Sequence, residues 1–107
     1  MDRPIIVCLC GSMRPEFADV WRRIYRDESL ALKIVLAAAV MAGDEAINND
    51  DPRKPSLDDL HKRKIDLADE VLILNVNGYV GPSTQSEIDY AKAHGKTLRW
   101  LEPDKVK

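Results

Sequence analysis

The sequence predicts an α/β fold built on a doubly wound parallel sheet, and three observations carry that expectation. Apolar runs of strand length alternate along the 107 residues with segments of helical periodicity. The first run, Pro4 to Cys10, is almost continuously apolar, as a strand covered on both faces must be. The segments between runs are long enough for right-handed crossovers between parallel strands.

After the first strand, Arg14 to Leu30 follows helical spacing. Phe17, Val20, Trp21, Ile24 and Tyr25 lie on one face, with Trp21 and Tyr25 as core candidates. Lys33 to Val40 is the second strand. Met41 to Pro55 is an irregular segment of the kind used for lids and binding loops. Ser56 is a candidate N-cap, with Asp59 completing a capping box, for a helix from Leu57 to about Asp69. Leu60, Ile65 and Ala68 face partly inward there, and Lys62-Arg63-Lys64 forms a solvated face. Val71 to Val76 is the third strand. A helix from about Ser83 to His94 follows, closed by Gly95, and Thr97 to Leu101 is the fourth strand. The expected architecture is thus a single domain over 1–107, Rossmann-like or flavodoxin-like. Its sheet has four to five parallel strands in the order 2-1-3-4.

Composition narrows the function. Hydrophobic residues make up 45 % of the chain and charged residues 32 %, with a net charge of -2. That balance lacks the basic footprint of a polynucleotide binder. No segment has the length of a membrane span, and a cytoplasmic protein is expected. The two cysteines, Cys8 and Cys10, share one strand face. They are expected as buried free thiols, with no Cys/His cluster and no metal.

In a 2-1-3-4 sheet, ligands gather at the carboxyl ends of strands one and three. Those ends are Cys10-Gly11-Ser12 and Asn75 to Gly78. Gly11 would let the chain turn into a helix whose free N–H groups bind an anion, Ser12 offers a hydroxyl, and Arg14 a planar fork. The bland alternative is that Ser12 caps and Arg14 is a surface residue. Neither a Walker loop nor Gly-x-Gly-x-x-Gly is present.

Glu87 is the candidate nucleophile, placed in the first turn of the last helix, where the dipole would keep a carboxylate ionised. Thr84-Gln-Ser-Glu87 also fits a capping box, which would give Glu87 a structural role. His61 could touch a ligand or be a boundary residue. His61 and His94 have no nucleophile at a motif-like spacing.

Three segments then resemble a known family: Cys10-Gly-Ser-Met-Arg14, Leu67-Ala-Asp-Glu-Val-Leu-Ile-Leu74, and Ser86-Glu-Ile-Asp-Tyr-Ala91 with Gly95-Lys-Thr-Leu98. In order and spacing they are similar to the nucleoside 2-deoxyribosyltransferase family. The resemblance is strongest to its short branch of 2′-deoxynucleoside 5′-phosphate N-hydrolases. It implies that Glu87 attacks the anomeric carbon of a 2′-deoxyribosyl group, in the retaining logic of glycosidases. It further implies a small-molecule nucleoside or nucleotide as partner and no cofactor. A homo-oligomer and a 5′-phosphate held by Ser12, Arg14, Ser83 and Thr84 also follow from it. The family carries an aspartate at the positions of His61 and, in transferases, Gly81, and a glycine at Asp89. Those departures favour hydrolysis over base exchange. A non-catalytic nucleotide sensor on the same fold is the alternative. A receiver-like or flavodoxin-like signalling module is weakened by Cys8-Leu-Cys10, where an acidic cluster would be needed.

Overall fold

The structure, a computed structural model, describes residues 3–37 and 50–106. Four parallel strands form one sheet in the order β2-β1-β3-β4, as expected: β1 (Ile6–Gly11), β2 (Ile34–Leu36), β3 (Glu70–Leu74) and β4 (Thr97–Trp100). Three helices connect them: α1 (Ala18–Leu30), α2 (Lys54–Leu67) and α3 (Pro82–Ala93).

Alternation along the central strands divides the core into two layers. Val7 and Leu9 of β1, with Leu72 and Leu74 of β3, pack under Ala18, Trp21 and Ile24 of α1. Cys8, Cys10, Val71 and Ile73 point to the other face, against Ile65 of α2 and Ile88 and Ala91 of α3. Gly11 remains in β1, paired with Leu74, and its φ is not left-handed. Its need for glycine is close approach: a Cβ there would lie 2.9 Å from the Leu74 Cβ. The expected sharp turn into a helix at Gly11 is therefore corrected.

Several boundaries differ for a common reason. α1 begins only at Ala18, after a 3₁₀ turn over Pro15–Phe17. α2 begins at Lys54, so Ser56 lies within its first turn, and Arg53 occupies the N-cap position without a side-chain cap. Prolines stand in the first turns at 15, 55 and 82, because a fixed φ and a missing N–H suit those positions. β2 ends at Leu36; residues 38–40 of the expected strand and 41–49 of the expected loop lie outside the described residues. Tyr25, a core candidate, is 46 % exposed, as is Leu60. The buried stripe of α1 runs through Ala18, Trp21 and Ile24, one turn-edge away from Tyr25. Gly95, with φ +70, closes α3 as expected.

Near the amino ends of β2 and β3, Glu28 and Glu70 share Lys33 and Arg99. Burial opposes the Glu28 charge, yet Arg99 and Lys33 together hold its pKa below the ordinary 4.5. A carboxyl depressed on folding stabilises fully above its unfolded pKa and loses that contribution as pH falls through the folded value. Glu28→Gln is expected to cost about 1–2 kcal/mol at neutral pH. It should also flatten the acid limb of stability below about pH 4.5. Urea denaturation at pH 7 and pH 4 checks both; an unchanged acid limb would remove Glu28 from the account.

Candidate functional site

The two loops expected to converge do so. Gly11 and Leu74 are paired neighbours, and the loops that follow them meet through Arg14 and Tyr79. The Arg14 guanidinium lies over the Tyr79 ring at 4.4 Å and its Nη2 donates to the Tyr79 hydroxyl at 3.0 Å. Phe17 packs beside the same ring, 6.2 Å between centroids. Tyr79 in turn covers Gly81, where an added Cβ would meet the hydroxyl at 3.0 Å. An acidic side chain at 81 would have to displace that ring. Tyr79 thus joins the first loop to the start of α3, and sequence reasoning missed it. The one available signal was an aromatic placed between two glycines, Gly78 and Gly81.

Ser12 accepts a hydrogen bond from the Arg14 N–H at 3.2 Å, and the Ser12 carbonyl accepts one from the Trp21 indole at 2.8 Å. Its hydroxyl shapes the loop before the 3₁₀ turn and is distant in sequence from the N-terminus of α1. The expected anion cradle of α1 N–H groups directly after Gly11 is therefore not formed.

Asn75 holds a backbone strap. It is 1 % exposed, and both ends of its amide engage Glu102: Nδ2 donates to the Glu102 carbonyl and Oδ1 accepts from the Glu102 N–H, each at 2.9 Å. The Glu102 carboxylate receives the Asn77 N–H at 2.6 Å. Asn77 and Gly78 both take left-handed φ, 56° and 82°, which fits an asparagine followed by a glycine. This strap fixes the loop that carries Tyr79, and Asn75 also borders the neighbouring cavity. A cavity of about 300 Å³ opens behind the strap, lined by Tyr79, Ile88, Trp100 and Val106 among others, and excludes Glu87.

Glu87 is in the second turn of α3. The helix starts at Pro82 with Gly81 at the N-cap, and no side chain caps it. The capping-box reading of Thr84 and Glu87 is therefore overturned, and so is the first-turn dipole that was to keep Glu87 ionised. Thr84 is buried in the first turn. Ser83 is exposed and accepts from Lys54 Nζ at 3.3 Å, while that ammonium also pairs with Asp58 at 2.6 Å.

The Glu87 side chain is 13 % exposed, and its Oε2 lies 3.5 Å from His61 Nε2. His61 is buried, not a boundary residue, and the same Nε2 lies 3.2 Å from Cys10 Sγ and 3.8 Å from Cys8 Sγ. The sequence expectation of no Cys/His cluster is thereby corrected. Cysteines two apart on β1 share a face, and α2 lays His61 across that face. Both thiols are free.

Protons on this cluster are shared unequally. Burial pushes the Glu87 carboxyl up, and the facing His61 only partly offsets it. Burial works against charge on His61, but its contact with Cys8 and the nearby Glu87 outweigh it and raise its pKa. Of the two thiols, Cys8 is the more acidic, because it receives the hydrogen bond from Cys10. Cys10 is raised by that same bond, by burial and by Glu87. The raised His61 thus owes more to its contact with Cys8 than to Glu87.

No helix among the described residues is long and apolar enough to cross a membrane. In comparisons with known proteins, no family model, no curated protein and no solved structure matches the chain.

Proposed function

We propose that this protein cleaves the N-glycosidic bond of a 2′-deoxynucleoside or its 5′-monophosphate, with hydrolysis favoured over base exchange. The observation that carries the proposal is Glu87 itself. It is a largely buried carboxylate, free of any capping duty, held against His61 beside the carboxyl end of β1. A side chain so placed is costly to fold around, and such cost concentrates where chemistry is done.

In the proposed reaction a Glu87 oxygen bonds to the anomeric carbon as the carbon–nitrogen bond breaks. The bonding pair leaves with the base, which takes up a proton. Water then supplies hydroxyl to the anomeric carbon and a proton to solvent, and Glu87 is released. His61 serves as a positioning residue, orienting the carboxylate and taking the proton that would otherwise quench it. Ser12, Arg14, Ser83, Thr84 and the newly found Lys54 are the candidates to hold a 5′-phosphate. Homo-oligomerisation belongs to the same proposal.

The test is free-base release from a panel of deoxy- and ribonucleosides and their 5′-monophosphates, with and without a second base, resolved by chromatography. Release from a deoxy donor supports the reading, and a new nucleoside appearing with the second base would restore the transferase. The raised Glu87 carboxyl favours one other reading, a nucleotide sensor. Folded protein that binds nucleotide without releasing base would establish that sensor instead.

A further inference from the structure

We propose that Cys8, Cys10 and His61 form a binding site for a single thiophilic divalent ion, Zn²⁺ by chemical preference, with Glu87 swinging in from beside His61 as the fourth ligand. Both cysteines of the chain and one of its two histidines meet at one point of the core. Elsewhere this layer is filled by Val71, Ile73, Ile65 and Ile88. The donor atoms of Cys8, Cys10 and His61 all lie within 4.8 Å of one another.

The spacing suits a tetrahedral ion. With Zn–S near 2.3 Å and Zn–N near 2.0–2.1 Å, tetrahedral angles put sulfur and nitrogen about 3.6 Å apart, and nitrogen and oxygen about 3.3 Å apart. The Sγ to Nε2 distances here are 3.2 Å and 3.8 Å, and Nε2 to the Glu87 oxygen is 3.5 Å. Two sulfurs and an imidazole select a soft or borderline ion over Mg²⁺ or Ca²⁺. Nε2 is the ring nitrogen that faces both thiols and Glu87, while Nδ1 has no hydrogen-bond partner among the described residues. Ile65, Ile73 and Ile88 pack in the same layer as the two thiols.

Three elements, β1, α2 and α3, each supply a ligand, so the ion clips both helices of this face to the central strand. It also takes the carboxylate away from chemistry. The metal site stands without the N-glycosidase reading; only the consequence that a bound ion silences turnover rests on it.

The test titrates the reduced, metal-stripped full chain with Cd²⁺ and Co²⁺ and reads thiolate-to-metal charge transfer in the ultraviolet. One ion per chain is expected, with release of the thiol protons to solvent. Cys8→Ser and Cys10→Ser should each weaken binding by more than about 10-fold, with Cys→Ala companions and circular dichroism confirming the fold. Glu87→Gln should weaken it by a similar factor while leaving the charge-transfer band in place. Absence of the band at one equivalent of Cd²⁺, with both thiols shown to be reduced, overturns the site. So does unchanged affinity in the folded double cysteine variant. Equal affinity in Glu87→Gln overturns the four-ligand assignment. One equivalent of Zn²⁺ should suppress base release, and a chelator should restore it. A chain that binds Cd²⁺ through both thiols yet never releases base supports the site and sinks the glycosidase.

Discussion

Under the proposed function, Glu87→Gln is expected to lower base release by roughly a thousandfold or more, a loss of about 4 kcal/mol of transition-state stabilisation. The fold is expected to survive it. Burial already penalises the charged carboxylate, and the neutral amide keeps the volume and a hydrogen-bonding group toward His61. Loss of rate at constant or improved stability is the mark of a residue kept for chemistry. Steady-state rates with a deoxy donor and a thermal melt on the same samples check the two halves. A variant retaining near-wild-type rates would remove Glu87 as the nucleophile. One that lost both rate and fold would return it to a structural role.

Trp21→Ala is expected to cost about 3–5 kcal/mol, the largest stability effect of any single truncation proposed here. The indole is 1 % exposed, packs among Val7, Leu9, Leu72 and Leu74, and donates to the Ser12 carbonyl. Its loss leaves a cavity under the central strands and frees the loop that carries Arg14. Trp21→Phe separates the two effects. It retains most of the packing and loses the bond to Ser12, at about 1–2 kcal/mol. Under the proposed function, that variant should raise the KM for a phosphorylated donor more than it lowers kcat. Urea midpoints report the first pair of effects. A cost below about 1 kcal/mol for Trp21→Ala would show that this layer collapses around the gap.

Strand order was legible because continuous apolar runs such as Ile5 to Cys10 admit few alternatives to buried parallel strands. The pairing of the Gly11 and Asn75 loops followed from that order alone. Helix starts were harder to read. Hydroxyl side chains at Ser56 and Thr84 suggested caps, whereas Pro55 and Pro82 mark where α2 and α3 begin. That displacement moved Glu87 from the first turn to the second and removed its capping partner. The Cys8–Cys10–His61 cluster was hidden for another reason. His61 lies 53 and 51 residues from the two cysteines along the chain, and only the crossing of α2 over β1 brings them together. At Asn75 a polar residue at a strand end could serve a ligand or a loop strap, and only the position of Glu102 reveals the strap.

The strand order also dictates a sequence of events during synthesis. β1 gains β2 on one edge as soon as α1 has crossed over, but its other edge needs Glu70–Leu74. Until those residues emerge, a row of unpaired amides flanked by Val7, Leu9 and the two thiols stays open. Such an edge is a template for intermolecular pairing and, with Cys8 and Cys10 on it, for oxidative cross-linking. Yield of soluble chain should therefore respond to reductant and to slow growth temperature during expression, long after the finished fold has hidden every reason for it.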